Sequence, residues 1–263
     1  MQAHGLPASR GWHWIVEGFR LFRRNPALLA SLVFGYWLLL IAVNLLPFIG
    51  VIAAPLCVPA ISVSVMNGCR AIERGEAVQF GVLLSGFQRN LNTLLALGAL
   101  YLAGSVAALA ASALVDGGLL MQIMLAGKRP PPEALQSGEL LLAVQATLVL
   151  MLPLMMAFWF APPLAAWENL SAAKSIFFSF VACWRNWRPF LVYGLGVGLI
   201  SVLLPGGVLA LSGEVSESLQ QILAVAVTMP MLFVFVPTLF ASFYASYCDV
   251  FVRPEPDADA PAE

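Results

Sequence analysis

The chain has few charged side chains. Asp, Glu, Lys and Arg make up 10% of its 263 residues, against roughly 25% in soluble domains. Apolar residues reach 60%, and the mean hydropathy is +0.88. Because the charged shell of a soluble protein is missing, this composition predicts an integral membrane protein. The net charge of −1 shows no basic excess, so we expect no nucleic-acid partner.

Residue types that carry catalysis or bind metals are also scarce. The two histidines, His4 and His13, lie before the first long apolar stretch. They form no Ser-His-acid set, no HExxH motif and no metal-spaced cluster. The four cysteines show no CxxC spacing. We therefore predict no catalytic residue, no metal site and no cofactor.

What the sequence does contain is a set of long apolar stretches without charged side chains deep inside them. A helix crosses the hydrocarbon core in about 20 residues. The pattern predicts an all-α, polytopic bundle of six transmembrane spans in a single domain over residues 1–252. An acidic, disordered tail is expected over residues 253–263. The predicted spans are residues 27–46, 47–67, 91–115, 140–165, 189–212 and 219–247.

The basic residues are distributed unevenly between the connections. Eleven of the thirteen Lys and Arg residues fall on the side that holds both termini, and only Lys128 and Arg129 fall on the other. The positive-inside rule then places both termini in the cytoplasm. The first apolar stretch is too long for a cleaved signal peptide, so it is expected to remain as the first span. We predict a multi-pass protein of the bacterial inner membrane.

Three segments on the predicted cytoplasmic side share one pattern. Residues 11–24, 76–89 and 171–185 each place apolar side chains on one helical face and end in Arg-Asn before a span. The spacing predicts amphipathic helices in the membrane interface. The asparagine is expected to cap the helix that follows. The chain is thus predicted to be three hairpins, each preceded by an interfacial helix.

A cluster of aromatic and cationic residues precedes the fifth span. Trp184, Arg185, Trp187 and Arg188 alternate around Asn186. Trp and Arg suit the headgroup layer, and a guanidinium matches the geometry of a phosphate. Generic anchoring by an aromatic belt explains the pattern. The sharper hypothesis is a binding site for anionic lipids made by these four residues.

Two acidic residues lie near the predicted cytoplasmic ends of spans. Glu168 follows the fourth span and Asp249 follows the sixth. As a polar pair they would be suited to acid–base or metal chemistry at the interface. The alternative is that each pairs with a nearby arginine, such as Arg185 or Arg188.

Several stretches together resemble a family of uncharacterised, six-helix inner-membrane proteins known mainly from beta-proteobacteria. The resemblance implies the same topology and no established activity. More distantly, the chain is similar to the membrane domain that precedes some glycerophosphodiester phosphodiesterases. The catalytic barrel of those enzymes is not in this sequence, so their activity is not implied. The matching residues are Gly11-Trp12, Phe22-Arg23-Arg24-Asn25-Pro26, Ala161-Pro162, residues 183–190 and residues 244–251.

The function predicted from these features is that of a non-catalytic envelope component, not an enzyme. Its expected partners are membrane lipids, including anionic ones, or another membrane protein. One alternative is a permease or exporter for a lipidic or uncharged solute, which would need a cavity lined by Asn44, Gln145 or Thr228. The other is an interfacial enzyme that uses Glu168 and Asp249.

Overall fold

The computed structural model describes residues 3–47, 49–78, 80–130, 138–211 and 217–252. Most of these residues are helical, and no strand occurs within these ranges. The predicted all-α class is confirmed. The predicted acidic tail lies outside the described residues.

The described residues form α-helices that we label α1 to α11. A 3-10 helix, Phe80–Phe87, precedes α4, and a π-helical turn, Met231–Phe235, joins α10 to α11. The bounds are α1 Arg10–Arg24, α2 Pro26–Asn44, α3 Gly50–Arg74, α4 Leu91–Asp116, α5 Leu119–Ala126, α6 Glu139–Trp159, α7 Ala161–Trp167, α8 Ala172–Arg185, α9 Trp187–Leu211, α10 Glu217–Pro230 and α11 Val236–Phe251.

Six helical stretches in the described part of the chain are long and apolar enough to cross a membrane, which confirms the predicted number. Their bounds differ from the prediction mainly at the second span, which continues past residue 67 to Arg74. The polar residues from Asn67 onward do not end α3, which stops before Gly75, a residue with a left-handed φ of 69°. The spans are Pro26–Asn44, Gly50–Arg74, Leu91–Asp116, Glu139–Trp167, Trp187–Gly207 and Leu219–Phe251.

The helices group into two compact units. The first contains Met1–Leu45, Ile61–Arg89 and Ala182–Glu263, and the second contains Leu46–Ala60 and Asn90–Val181. Helices α3 and α8 each contribute residues to both units. The single domain over residues 1–252 stays a prediction.

In the first unit, α1 packs against α9 and α11. Its buried face carries Trp14, whose ring makes an edge contact with Phe190 at 5.1 Å between centroids. Gly18 permits the close approach, because a Cβ there would lie 2.6 Å from the Thr238 carbonyl oxygen. The amphipathic face predicted for α1 thus lies partly against protein, while Trp12 at its edge is 47% exposed. The interfacial position of α1 stays a prediction.

In the second unit, α4 packs against α6, and the break between α6 and α7 has a specific cause. The Ser179 hydroxyl accepts a hydrogen bond from the Phe160 amide at 2.9 Å and donates to the Met156 carbonyl at 2.8 Å. Residues 156 and 160 would otherwise bond directly as i and i+4 in a helix. The hydroxyl therefore replaces one rung of the helical ladder, a recognised cause of kinks. Pro162 and Pro163 follow within the first turn of α7.

The asparagines of the repeated Arg-Asn pattern do not all act as predicted. Asn25 caps α2, since its side-chain oxygen accepts from the Leu28 amide at 3.1 Å. Asn90 makes no such cap; its side chain instead donates to the Ala165 and Leu170 carbonyls. The capping prediction is therefore right for Asn25 and wrong for Asn90.

The segment over residues 76–89 differs from the predicted pattern in its geometry. Its helical part is a 3-10 helix, held by side chains of α3. The Gly86 amide donates to the Ser64 hydroxyl at 2.9 Å, and the Asn67 amide group donates to the Ser85 hydroxyl at 2.8 Å. The arrangement as three hairpins with interfacial helices stays a prediction.

Candidate functional site

Asp249, near the end of α11, is the centre of a buried polar cluster in the first unit. The residue is only 4% exposed. Arg10 Nε donates to Asp249 Oδ2 at 2.8 Å, and Arg10 Nη2 forms a second bond to Oδ1. Trp14 Nε1 donates to Oδ2 at 2.9 Å. Arg10 and Trp14 are one turn apart on α1, so a single helix supplies all three donors.

The charges of this cluster stabilise one another. The hydrogen bond that Arg10 donates to Asp249 raises the pKa of Arg10 above its ordinary value, against the opposing effect of burial. The charge of Glu17 adds a smaller rise. The guanidinium is therefore a cation at any physiological pH, as a bidentate partner of a buried carboxylate must be.

The partner of Asp249 corrects the expectation that Arg185 or Arg188 would neutralise it. Arg10 lies 239 residues away in the sequence, and no local pattern indicates such a contact. One signal was available: Arg10 and Trp14 have i, i+4 spacing, which places two polar donors on one face of a predicted helix.

The segment before α1 is hydrogen-bonded to Asn186, which lies between α8 and α9 in the first unit. Asn186 is fully buried, and its side-chain oxygen accepts from the Leu6 amide at 2.9 Å. Its amide group donates to the carbonyl oxygens of His4 and Ala182, each at 2.9 Å. The His4 amide donates to the Val250 carbonyl at 2.9 Å. These bonds fix the start of α1 and the junction between α8 and α9 together.

The four residues around Asn186 form an exposed surface, which we call the Trp-Arg surface: Trp184, Arg185, Trp187 and Arg188. Trp184 is 65% exposed and Trp187 is 55% exposed, and both arginines are exposed as well. The Arg188 guanidinium lies 5.5 Å from the centre of the Trp187 ring. Within the described ranges, no carboxylate forms an ion pair with Arg185 or Arg188. The arginines therefore keep their donors for another anion.

A cavity of about 180 Å³ opens between α1 and the ends of α3 and α11, all within the first unit. The Tyr244 hydroxyl donates to Glu73 Oε2 at 2.5 Å. Arg24 Nη1 donates to the Glu73 carbonyl at 3.0 Å, and Arg20 Nη1 donates to Glu17 Oε1 at 2.8 Å. No sequence pattern indicates this cavity, because its residues come from three separate helices. We call it the Glu73 cavity; it is lined by Glu17, Arg20, Arg24, Glu73, Tyr244 and Cys248, among others.

The two members of the predicted acidic pair have different surroundings. Glu168 follows α7 in the second unit and is exposed. Asp249, in the first unit, accepts three hydrogen bonds from Arg10 and Trp14. The pairing of Glu168 with Asp249 stays a prediction. Within the described residues, no group of three His, Cys, Asp or Glu side chains is placed to hold a metal ion.

The polar residues expected to line a transport cavity are exposed instead. Asn44, Gln145 and Thr228 all have exposed side chains. The Asn44 amide group donates to the Leu40 carbonyl of its own helix at 3.0 Å. The position of these three residues therefore gives no support to a solute pathway among them.

Comparison with known proteins agrees with the membrane fold. No protein-family model and no solved structure matches the chain. A protein of Burkholderia thailandensis, described as a probable inner membrane protein, is 38% identical over 264 residues. The match covers 98% of this chain and 97% of the relative. With its six apolar helices, the chain belongs to the same family of multi-pass bacterial inner-membrane proteins as this relative.

Proposed function

We propose that the protein is a non-catalytic, lipid-associated component of the inner membrane that binds anionic headgroups at its Trp-Arg surface. The observation that carries this proposal is the contrast at Asn186. Asn186 is buried and hydrogen-bonded to the segment before α1, while the four residues around it point outward. The hydrogen bonds of Asn186 thus fix the backbone beneath the Trp-Arg surface. This lowers the entropy cost of binding a phosphate.

The chemistry of the surface fits a phosphate ester in a headgroup layer. Arg185 and Arg188 supply ten N–H donors between them. Indole rings favour the boundary between water and hydrocarbon, so Trp184 and Trp187 set the depth of the surface. Each basic residue near an anionic leaflet contributes about 1 kcal/mol.

The proposal includes the orientation of the chain. Six spans place both termini on one side, and the excess of Lys and Arg on that side makes it cytoplasmic. The Trp-Arg surface then faces the cytoplasmic leaflet, where anionic headgroups create a negative surface potential. The distant similarity to the membrane domain of glycerophosphodiester phosphodiesterases stays a prediction and adds no activity.

The test compares lipid retention in two double variants of the full chain in mild detergent. In Arg185→Gln/Arg188→Gln, loss of two charges should weaken retention of phosphatidylglycerol by about tenfold or more. In the control, Lys128→Gln/Arg129→Gln, the same charge is removed from the predicted outer side, and retention should be unchanged. Native mass spectrometry measures the phosphatidylglycerol retained by each variant relative to wild type. Equal retention in the two variants would reduce the Trp-Arg surface to a generic anchor.

A further inference from the structure

The Glu73 cavity has the composition of a site for a zwitterionic ligand, one that carries a positive and a negative group. It contains two arginines and two glutamates, with a tyrosine hydroxyl beside them. Its volume of about 180 Å³ is too large for one or two water molecules, since each occupies about 30 Å³ in the liquid. A group of headgroup size fits this space. The cavity shares no residue with the Trp-Arg surface.

The cationic side of the cavity is formed by α1. Arg20 and Arg24 are one turn apart, so their guanidinium groups project from the same face. Arg24 uses one N–H on the Glu73 carbonyl, and Arg20 uses one on Glu17. A guanidinium has five N–H donors, so both keep donors for a phosphate.

The anionic side of the cavity is held in place by a buried group. Tyr244 is 4% exposed, and its hydroxyl fixes one oxygen of the Glu73 carboxylate. A carboxylate offers about four acceptor sites, so it can accept from an ammonium group alongside its protein partners. Glu17 lies on the same rim and is partly exposed, with its partner Arg20. Such an exposed ion pair contributes only about 0.2–1 kcal/mol, so a ligand can open it at low cost.

We propose that the Glu73 cavity binds an ethanolamine-phosphate group, with the phosphate on Arg20 and Arg24 and the ammonium on Glu73 and Glu17. A primary ammonium has three N–H donors, which match the carboxylate oxygens. A quaternary ammonium has none. A purely anionic headgroup would leave the glutamates opposed to a like charge.

The same chemistry occurs in two sources, the headgroup of phosphatidylethanolamine and the soluble ester glycerophosphoethanolamine. The cavity lies where α1 meets the ends of two predicted spans, α3 and α11. This level suits a headgroup whose acyl chains extend along the spans. The experiment therefore contains an arm for each source.

The test measures retention of phosphatidylethanolamine, phosphatidylglycerol and phosphatidylcholine by the purified full chain, from an equimolar mixture, by native mass spectrometry. Wild type should retain phosphatidylethanolamine in preference to phosphatidylcholine. Glu73→Gln removes the charge that binds the ammonium and should lower phosphatidylethanolamine retention about tenfold. Phosphatidylglycerol retention should stay the same or rise. Glu168→Gln, which removes the same charge from an exposed glutamate of the second unit, is the matched control.

A second variant protects the test against misfolding. Glu17 is on the rim, so Glu17→Gln should leave the fold intact and still weaken phosphatidylethanolamine retention by a factor of about three to ten. Unchanged retention in both Glu73→Gln and Glu17→Gln would overturn the proposal. Equal retention of the three lipids by wild type would do so as well.

The soluble arm distinguishes the source of the ligand. Glycerophosphoethanolamine is titrated into wild type, and the melting temperature is followed. A lipid site predicts weak stabilisation that saturates only in the millimolar range. Saturation at micromolar concentration, lost in Glu73→Gln, would assign the cavity to the soluble ester. Because Arg185 and Arg188 are intact in every variant, failure here leaves the proposed anionic surface untouched, and the reverse also holds.

Discussion

Asp249 is buried where an isolated charge would be costly, and Arg10 and Trp14 compensate for that cost. The two sides of the ion pair are not equivalent. The Asp249 side chain is 5% exposed, whereas the Arg10 side chain is 31% exposed and can reach water. Removing either partner therefore leaves a charge behind, but only the carboxylate would be left without solvent.

This asymmetry predicts an order of stability among single variants. Arg10→Gln leaves the buried carboxylate with Trp14 alone and should destabilise by about 3–5 kcal/mol. Asp249→Asn leaves a guanidinium that water can solvate, and should cost about 1–3 kcal/mol. Unfolding in mild detergent, followed by tryptophan fluorescence, gives the comparison. If Asp249→Asn proves the more damaging, then the carboxylate has a role beyond neutralising Arg10.

At the scale of the element, the boundary between α6 and α7 shows how a side chain from another helix shapes a span. The serines Ser175 and Ser179 lie one turn apart on α8, and both are fully buried. Ser179 bridges Met156 and Phe160, whereas the Ser175 hydroxyl has no hydrogen-bond partner within the described residues.

These two serines provide a matched pair of substitutions. Ser179→Ala removes the bridge and leaves two backbone groups to find new partners, so it should destabilise by about 1–3 kcal/mol. Ser175→Ala removes a hydroxyl that is buried without a partner, and should be neutral or stabilising. The melting temperature of each variant in the same detergent is the measurement. Similar losses in both would indicate that packing volume, not the hydroxyl bridge, matters at this helix.

The sequence predicted the elements better than their contacts. Six spans were found because long apolar stretches are a local signal. The second span is predicted to end at residue 67, where the apolar stretch ends, whereas α3 continues to Arg74 as a more polar helix. The partner of Asp249 and the bridge made by Ser179 depend on residues distant in sequence, which hydropathy does not encode. The exposed Trp-Arg surface was indicated by its composition, and the Glu73 cavity was not.

At the scale of the whole molecule, the number of spans and the distribution of charge make a joint prediction about topology. A reporter fused after residue 263 and one inserted in the loop between α5 and α6 should lie in opposite compartments, with the first in the cytoplasm. Alkaline phosphatase is active only in the periplasm, and a fluorescent protein exported through the general pathway is dark there, so the pair gives complementary signals. Two fusions on the same side would contradict the six-span topology.

The ion pair between Arg10 and Asp249 also determines when α1 can pack against α11 during synthesis. Arg10 and Asp249 are separated by 239 residues, so at about 5–20 residues per second the ribosome needs about 10–50 s to deliver the second after the first. Throughout this interval α1 has emerged, but its partner helix α11 does not yet exist. Until α11 is made, the face of α1 that is buried in the final structure must lie at the membrane surface or contact the insertion machinery. Helix α1 therefore leaves the ribosome well before the contact that fixes its final position can form.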